Sequence, residues 1–449
     1  MGGKTFEFIE KWLEKIPQPQ KHSPIDTQRP AKRQKLNRTR WRLPSPERSV
    51  GSSDLDQLPQ DTTSEMDPQT PNKRRLVDDE ATPRPNKAPS NSSRSSFNKD
   101  GISFPPSDSS QRSGRSSPVK TFPIVGLDGH YIDARTLDPD QFGFPSALED
   151  ILRDINDIGS KIGIVPEYLK PEIQKPSQQY KSLKWLNKSA YISSQDFGLD
   201  SDNLIPADRF LSTVENLRLF ARRCFELGLD EAGWNNEVHT PILQAVFRGD
   251  LWPENAIVDY FPCMNASVTP EYHKFPISPS KVDYCVFIDP AFDNDDGVKE
   301  AIKEIQAYSN GTINHTSYSG LAQFPTCISI ETKRHGGDQR RADVQTATWH
   351  ASQWTFLTKH AGDGISELPF LPGVIVQGHE WKFVATTRNG KETIFWSSHQ
   401  FGNTTTPVGV FQIMAGLHRL RRWSRDVFWP WYKKHVLKLL IPTQIQSFN

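Results

Sequence analysis

The chain has 449 residues, enough for two or three average domains, and a formal net charge of only +1. Its hydrophobic content of 35% and its 35 prolines indicate that part of the chain does not build a packed core. No apolar run reaches the roughly 18 residues of a membrane-spanning helix, so we expect no membrane partner.

The N-terminus and the cysteines predict an intracellular protein. Residues 1–8 lack the apolar stretch of a secretory signal, so we expect none to be present. The four cysteines lie far apart and form no Cys-x-x-Cys pair, which argues against a zinc site and is typical of a reducing compartment: Cys224, Cys263, Cys285 and Cys327.

Residues 1–16 form a short amphipathic segment whose apolar positions have helical spacing. Two interpretations remain open for it. It is either a fraying terminal helix or a short helix that docks onto a partner.

Residues 17–120 are rich in Ser, Pro and charged residues and poor in large apolar ones, which predicts a disordered tail. Within it, Lys32, Arg33 and Lys35 resemble a nuclear import signal, so we expect an import receptor as partner and a nuclear location, or otherwise a cytoplasmic one. The alternative is that this basic cluster binds nucleic acid non-specifically or has no role.

A helical lead-in is predicted over residues 121–204, before a domain at 205–440. Ser146 and Glu149 form a capping box that would open its main helix. A second helix is predicted over 206–227, with Gly228 as its stop. Pro241 then indicates either a helix capped by Thr240 or a kink in a helix that began earlier.

The rest of the chain alternates helices and strands, which predicts one α/β domain of roughly 300 residues. We predict strands at 282–288, 327–333, 373–377, 381–387 and 392–396, and helices at 297–308, 338–357 and 406–439.

The strand at 327–333 ends in Glu331-Thr332-Lys333. Side chains alternate along a strand, so the chain has one apolar and one polar face here. The polar face carries a carboxylate beside an ammonium, a pair that either neutralises itself at a solvated strand edge or holds a metal and a phosphate. The predicted faces are Ile328, Ile330 and Thr332 against Ser329, Glu331 and Lys333.

Asp283 opens the preceding strand and is the candidate partner acid, with Asp289 at the other end of that strand as a rival that fits a turn better. Asp283 and Glu331 lie 48 positions apart, further than a tight hairpin requires. Residues 289–326 must therefore form an insertion with its own helix.

Asp283 at a strand start, Glu331-Thr332-Lys333 at the end of another strand, and the helix and strands that follow resemble the PD-(D/E)XK nuclease superfamily. The chain resembles most closely the fungal proteins with a PD-(D/E)XK nuclease-like domain, in which the Trp-Asn-x-x-Val-His-x-Pro run of 234–241 also recurs. The fold implied is α/β, a restriction-endonuclease-like core of a mixed central sheet flanked by helices.

The resemblance implies a Mg²⁺- or Mn²⁺-dependent site. Asp283 and Glu331 would be metal ligands, with the Thr332 carbonyl as a third, because hard oxygens suit these ions. Lys333 would sit near the scissile phosphate and the attacking water.

Two further site residues follow from the same resemblance. Glu237 matches the upstream acid of the superfamily, although it could simply belong to a helix cap. Gln345 and Trp349 look like a Gln-x-x-x-aromatic element. Arg334, Arg340 and Arg341 would either contact phosphates or be solvated charges.

Three hypotheses for function follow. The first is a nuclease that hydrolyses phosphodiester bonds, with DNA as the expected substrate, by metal-assisted attack of water. The second is an inactive module that keeps the nuclease fold and binds nucleic acid or regulates in the nucleus. The third is an interaction protein that acts through residues 1–16 and the tail.

Overall fold

The computed structural model describes residues 121–439 apart from 142, 177–180, 201–203 and 250–256. The predicted amphipathic segment at 1–16, the tail at 17–120 and the import signal at Lys32, Arg33 and Lys35 lie outside these residues and stay predictions. Among the described residues no helix is long and apolar enough to cross a membrane.

A mixed sheet forms the centre of the fold. Its strands within the described chain run in the order β1-β2-β10-β9-β8-β7-β6-β5, while β3 and β4 form a small separate pair. The strands are β1 (Ile124–Val125), β2 (Tyr131–Thr136), β3 (Val165–Pro166), β4 (Tyr191–Ile192), β5 (Val258–Pro262), β6 (Tyr284–Ile288), β7 (Thr326–Lys333), β8 (Leu371–Gln377), β9 (Glu380–Asn389) and β10 (Glu392–Asn403).

Most neighbouring strands are antiparallel, as short connections allow. The pairs β7–β8, β2–β10 and β3–β4 are parallel. The predicted mixed α/β sheet is therefore confirmed. The predicted helical lead-in at 121–204 also supplies β1 and β2 to this sheet, which sequence patterns did not indicate.

Helices cover both faces of the sheet. The α-helices are α1 (Ser146–Gly159), α2 (Lys170–Ile173), α3 (Lys181–Lys184), α4 (Ser194–Phe197), α5 (Ala207–Glu226), α6 (Glu231–Trp234), α7 (Thr240–Phe247), α8 (Gly297–Tyr308), α9 (Gln339–Ala361), α10 (Pro407–Trp423) and α11 (Trp429–His435). Two π-helical turns lie at Asn235–His239 and Ser424–Phe428, and 3₁₀ turns at Leu127–Gly129, Glu167–Leu169, Lys188–Ala190, Pro290–Phe292, Ser319–Leu321 and Gly362–Glu367.

Helix α1 begins differently from the capping-box prediction. Its N-cap is Pro145, whose extended backbone (φ −74°, ψ 125°) offers its carbonyl to the N–H of Leu148 at 2.9 Å. Ser146 already lies inside the first turn, so it does not cap the helix. The apolar face itself is confirmed, since its predicted members are all buried: Leu148, Ile151, Leu152, Ile155 and Ile158.

The segment from Glu231 to Phe247 decides between the two alternatives for Pro241. Thr240 has helical backbone angles (φ −58°, ψ −47°), so it does not cap a new helix. The helix begins at Glu231 and passes through the π-turn Asn235–His239 into α7. Because proline lacks an N–H, an irregular turn just before Pro241 absorbs the missing helical hydrogen bond.

Strand β7 is buried on both faces, so the polar face predicted for it does not open to solvent. Helix α9 covers the side that carries Ser329 and Glu331, and the Ser329 hydroxyl is hydrogen-bonded to His350 of that helix. On the other side, Thr332 contacts Asn235 of the π-turn. The pair of charges at the end of β7 is therefore not a solvated strand edge.

The connection between β6 and β7 confirms the predicted insertion. Helix α8 occupies Gly297–Tyr308, as the periodicity of 297–308 indicated. Asp289 begins this insertion and accepts a hydrogen bond from the N–H of Ala291 at 3.0 Å. It belongs to a turn, as expected of the rival to Asp283.

Candidate active site

Asp283 and Glu331 lie beside each other where β6 begins and β7 ends. The antiparallel register pairs Tyr284 with Ile330, and Asp283 directly precedes Tyr284 while Glu331 directly follows Ile330. Asp283 is 7% exposed and Glu331 is 2% exposed. The structure brings these two predicted site residues together, and the Asp283 carboxylate lies close enough to raise the pKa of Glu331.

Thr332 holds the Asp283 carboxylate in place. Its backbone N–H donates to Asp283 Oδ2 at 2.7 Å, and its hydroxyl lies 2.9 Å from the same oxygen. A buried carboxylate is stable only when such donors replace water. One oxygen of Asp283 is thus occupied within the protein.

The Lys333 ammonium lies among three oxygen atoms at the end of β7. It donates to the Thr332 carbonyl at 2.8 Å and to the Glu331 carboxylate, and it lies 3.5 Å from Glu231 Oε2. Only 12% of its side chain is exposed. The predicted pair Glu331 and Lys333 is therefore a direct, largely buried ion pair that includes a third acid.

Glu231 occupies the place that the sequence prediction gave to Glu237. Asp230 caps helix α6 by accepting from the N–H of Gly233 at 2.8 Å, and this fixes Glu231 in the first turn beside Lys333. Glu237 is exposed on the π-turn, and the structure does not bring it to the acids of the sheet. The acid that the structure places beside Lys333 is thus Glu231.

The spacing of four residues between Glu231 and Asn235 is the sequence pattern that could have identified Glu231 as a site residue. Residues four apart share one face of a helix, so both side chains point to the end of β7. The prediction started the helix at Thr240 and therefore did not consider this face.

Asn235 links three buried groups through its carboxamide. Its Oδ1 lies 2.9 Å from both His239 Nδ1 and Thr332 Oγ1, and His239 Nε2 lies 3.3 Å from the Gly378 carbonyl. With Oδ1 in this position the Thr332 hydroxyl has two acceptors for one hydrogen, and the buried Nδ2 of Asn235 has no partner within the described part of the chain.

Rotating the carboxamide by half a turn gives each of these contacts one donor and one acceptor, and it places Oδ1 in the position that has no partner among the described residues. Nδ2 of Asn235 then donates to Thr332 and to His239, and the Thr332 hydroxyl donates to Asp283. Burial lowers the pKa of His239 to about 4, so the ring is neutral at pH 7 and carries its hydrogen on Nε2, facing Gly378. A continuous chain of hydrogen bonds then runs from the β8–β9 turn to Asp283.

Replacing Asn235 with alanine is expected to reduce the free energy of unfolding by about 1–3 kcal/mol, because His239 and Thr332 would lose a buried partner. Urea denaturation of the purified protein measures this. Asn236→Ala, at the exposed neighbouring position, is the matched control and should change stability little. Equal stability of the two variants would contradict the proposed hydrogen-bond chain.

Gln345 and Trp349 do not form a joint element at the site. Nε2 of Gln345 lies 3.5 Å from the Lys281 carbonyl, close to the start of β6, while its Oε1 is buried without a partner in the described chain. Trp349 is fully buried and packs edge-on against His315, with ring centroids 4.5 Å apart. Gln345 thus stays a candidate beside the acids, whereas Trp349 belongs to the core.

Burial governs the protonation of the two central acids. It raises the pKa of Glu331 to about 8, helped by the nearby Asp283 carboxylate and opposed by Lys333. It also raises the pKa of Asp283, against the hydrogen bonds from Thr332. Raised pKa values of buried acids are typical of functional sites, and ion pairs within protein cores also produce them.

The donor atoms at this site fit a hard divalent cation. Carboxylate oxygens of Glu331, Asp283 and Glu231 and the carbonyl oxygen of Thr332 are the ligands that Mg²⁺ and Mn²⁺ prefer. In the described residues no three His, Cys, Asp or Glu side chains are arranged as a metal-binding group. A cation here would therefore need the Thr332 carbonyl and water as further ligands. The Lys333 ammonium would have to move away from the Thr332 carbonyl and the Glu331 carboxylate, to which it now donates.

Three exposed arginines lie close in sequence to the residues of the candidate site. Arg334 follows Lys333 directly, and Arg340 and Arg341 lie in the first turn of α9. Arg341 is close enough to Glu231 to oppose the rise in the pKa of that carboxyl. Exposed guanidinium groups beside buried acids suit a polyanionic ligand.

The sheet, the two neighbouring acids and the lysine two residues after Glu331 form the arrangement that the resemblance to nucleases predicts. A protein-family model described as PD-(D/E)XK nuclease superfamily matches residues 182–429, which is more than half of the chain. The chain belongs to this superfamily, whose nucleases typically use divalent metals. A search of curated proteins found no match.

Proposed function

We propose that this protein hydrolyses phosphodiester bonds in nucleic acid, with DNA as substrate and Mg²⁺ or Mn²⁺ as cofactor. The observation that carries the proposal is the neighbouring pair of Asp283 and Glu331 with Lys333 on the Glu331 carboxylate. Membership of the superfamily supports the same class of reaction.

Lys333 acts in this proposal as a fixed positive charge. Burial disfavours its charged form, but the Glu331 and Glu231 carboxylates raise its pKa above the ordinary value. It therefore stays protonated at neutral pH and cannot serve as a base. Its N–H groups can orient the attacking water and stabilise charge on the phosphate as that charge develops.

The acids supply the remaining roles. Asp283 and Glu331, with the Thr332 carbonyl, would hold the divalent cation, and Thr332 keeps Asp283 pointed at it. The bound cation would neutralise phosphate charge and make water a better nucleophile. Glu231, in the first turn of α6, would contribute a further negative charge at the edge of the same site.

One observation favours a second candidate function, an inactive nucleic-acid-binding module in the nucleus. The Lys333 ammonium already neutralises Glu331, and Thr332 already occupies an oxygen of Asp283. An acid pair satisfied in this way needs no metal to be stable. The import signal at Lys32, Arg33 and Lys35 stays a prediction for either function.

Cleavage assays with the full chain separate the two functions. Supercoiled plasmid, linear duplex and single-stranded DNA are incubated with Mg²⁺, with Mn²⁺ or with EDTA. Asp283→Asn should reduce metal-dependent cleavage about 100-fold or more, because one removed electrostatic group typically costs that much. Asp289→Asn is the matched control, since Asp289 lies at the other end of β6 in a turn.

The outcomes are distinct. Cleavage that depends on metal and on Asp283 but not on Asp289 supports the nuclease. Nucleic-acid binding without cleavage under every condition would support the inactive module instead. Equal cleavage by wild type and Asp283→Asn would show that this site is not the catalytic one.

A further inference from the structure

A cluster of two exposed rings and one half-buried ring lies next to the candidate active site. Phe225 contacts His335 edge-on, with ring centroids 4.9 Å apart, and contacts His379 at 5.4 Å. The two imidazoles are 6.2 Å apart. Phe225 is 48% exposed, and His335 is exposed as well. We call Phe225, His335 and His379 the stacking platform.

The platform is built from the same elements as the acids. His335 comes two residues after Lys333, and Phe225 lies at the end of α5, six residues before Glu231. His379 is in the turn between β8 and β9, where its ring meets Trp234 of α6 edge-on at 5.0 Å. The platform and the acids therefore occupy adjoining parts of one surface.

The platform is held rigidly. The Thr404 hydroxyl lies 2.7 Å from His379 Nδ1 and fixes that ring. Gly378 has φ +57°, and a side chain there would come within 3.0 Å of the His335 backbone nitrogen. Only glycine lets the β8–β9 turn approach His335 so closely. A rigid ring cluster loses little conformational freedom when a ligand binds to it.

Single exposed aromatic residues are common on protein surfaces and usually have no role. Phe220, which is 41% exposed on the same helix, is such a case. Phe225 differs because it belongs to a ring cluster beside the acids. Exposed arginines also accompany the cluster in sequence, with Arg223 two residues before Phe225 and Arg334 directly before His335.

We propose that the stacking platform binds an unpaired nucleobase next to the phosphodiester bond that the acids cleave. Aromatic rings beside guanidinium groups are the usual means of holding single-stranded nucleic acid, because the rings stack on bases while the cations contact phosphates. Bases inside a duplex do not expose their faces. The preferred substrate is therefore a single strand, a flap or a frayed end, and this inference rests on the proposed nuclease function.

Binding of oligonucleotides by the full chain tests the platform. Ca²⁺ replaces Mg²⁺ to prevent cleavage, and the probes are a single-stranded oligonucleotide with 2-aminopurine and the matching duplex. Phe225→Ala should raise the Kd for the single strand about tenfold or more and should leave the Kd for the duplex nearly unchanged. Quenching of 2-aminopurine by stacking should be lost as well.

Three variants provide the controls. Phe220→Ala removes an equally exposed ring outside the platform and should bind like wild type. Phe225→Trp keeps a stacking ring and should retain affinity, whereas Phe225→Leu keeps an apolar side chain and should not. Thermal unfolding of each variant identifies any loss of folded protein.

The two proposals fail in different ways. If wild type cleaves nucleic acid and Phe225→Ala binds the single strand as tightly as Phe220→Ala does, the platform is overturned and the nuclease stands. If wild type neither binds nor cleaves any oligonucleotide or plasmid, both are overturned.

Discussion

Lys333→Met is expected to reduce the kcat of phosphodiester cleavage by about 100- to 1,000-fold, the usual effect of removing one preorganised group that stabilises charge in the transition state. In the proposed reaction the ammonium acts on the reacting phosphate and on water more than on the bound substrate, so KM should change much less. The Glu331 carboxyl can accept a proton once its partner is gone, so the fold should survive. Single-turnover kinetics with a labelled oligonucleotide measure the effect.

Lys382→Met is the matched control for this change. Lys382 lies on β9 with 16% of its side chain exposed, close to the value for Lys333, and it also pairs with an acid, Glu380, at 2.9 Å. Its loss should leave kcat within about a factor of two or three, because Lys382 contacts Glu380, Gln339 and Gln377 rather than the acids of the candidate site. If both variants retained wild-type kcat, Lys333 would have no part in catalysis.

The affinity of the site for Mn²⁺ is expected to rise with pH by about tenfold per unit until it levels off near pH 8. The reason is that Glu331 must lose its proton to bind a cation, and burial places its pKa at about 8. Isothermal titration calorimetry at several pH values measures the affinity. Repeating the titration in buffers with different heats of ionisation gives the number of protons that are released when Mn²⁺ binds.

The same carboxyl should make the metal-free protein less stable as pH rises. Its pKa is about 8 in the folded chain against 4.5 ordinarily, so between these values the unfolded chain binds fewer protons. Stability therefore falls from pH 4.5 towards 8, and saturating Mn²⁺ should remove this slope. Glu331→Gln should reduce both the slope and the pH dependence of the affinity, and the raised pKa of Asp283 accounts for what remains. A pH-independent affinity in wild type would contradict the assignment of Glu331 as ligand.

The sequence located the centre of this site because strand periodicity and local chemistry agree there. Glu331 and Lys333 share a strand face, and Asp283 begins the strand that pairs with it, so alternation alone brings the three together. Glu231 was missed for a different reason. Its position depends on where a helix begins and on a π-turn around Asn235, and apolar periodicity with a regular turn length reveals neither.

Elements that depend on distant pairing were also hard to predict. Strand β2 is short and half-exposed, and its partner β10 lies more than 250 residues further along the chain. Strand β5 pairs with β6 across the segment that precedes Asp283. Local sequence patterns do not show which distant strand β2 or β5 pairs with. The predicted sheet therefore lacked β2 near one edge and β5 at the other.

The pairing of β2 with β10 determines where a stable fragment of the protein can begin. A fragment that starts at residue 182, where the family match begins, lacks β1 and β2. The twelve-residue strand β10 would then present open N–H and C=O groups along the residues that β2 normally covers. Open strand edges recruit other chains, so such a fragment should aggregate, whereas one that starts at residue 121 keeps the sheet closed on this side.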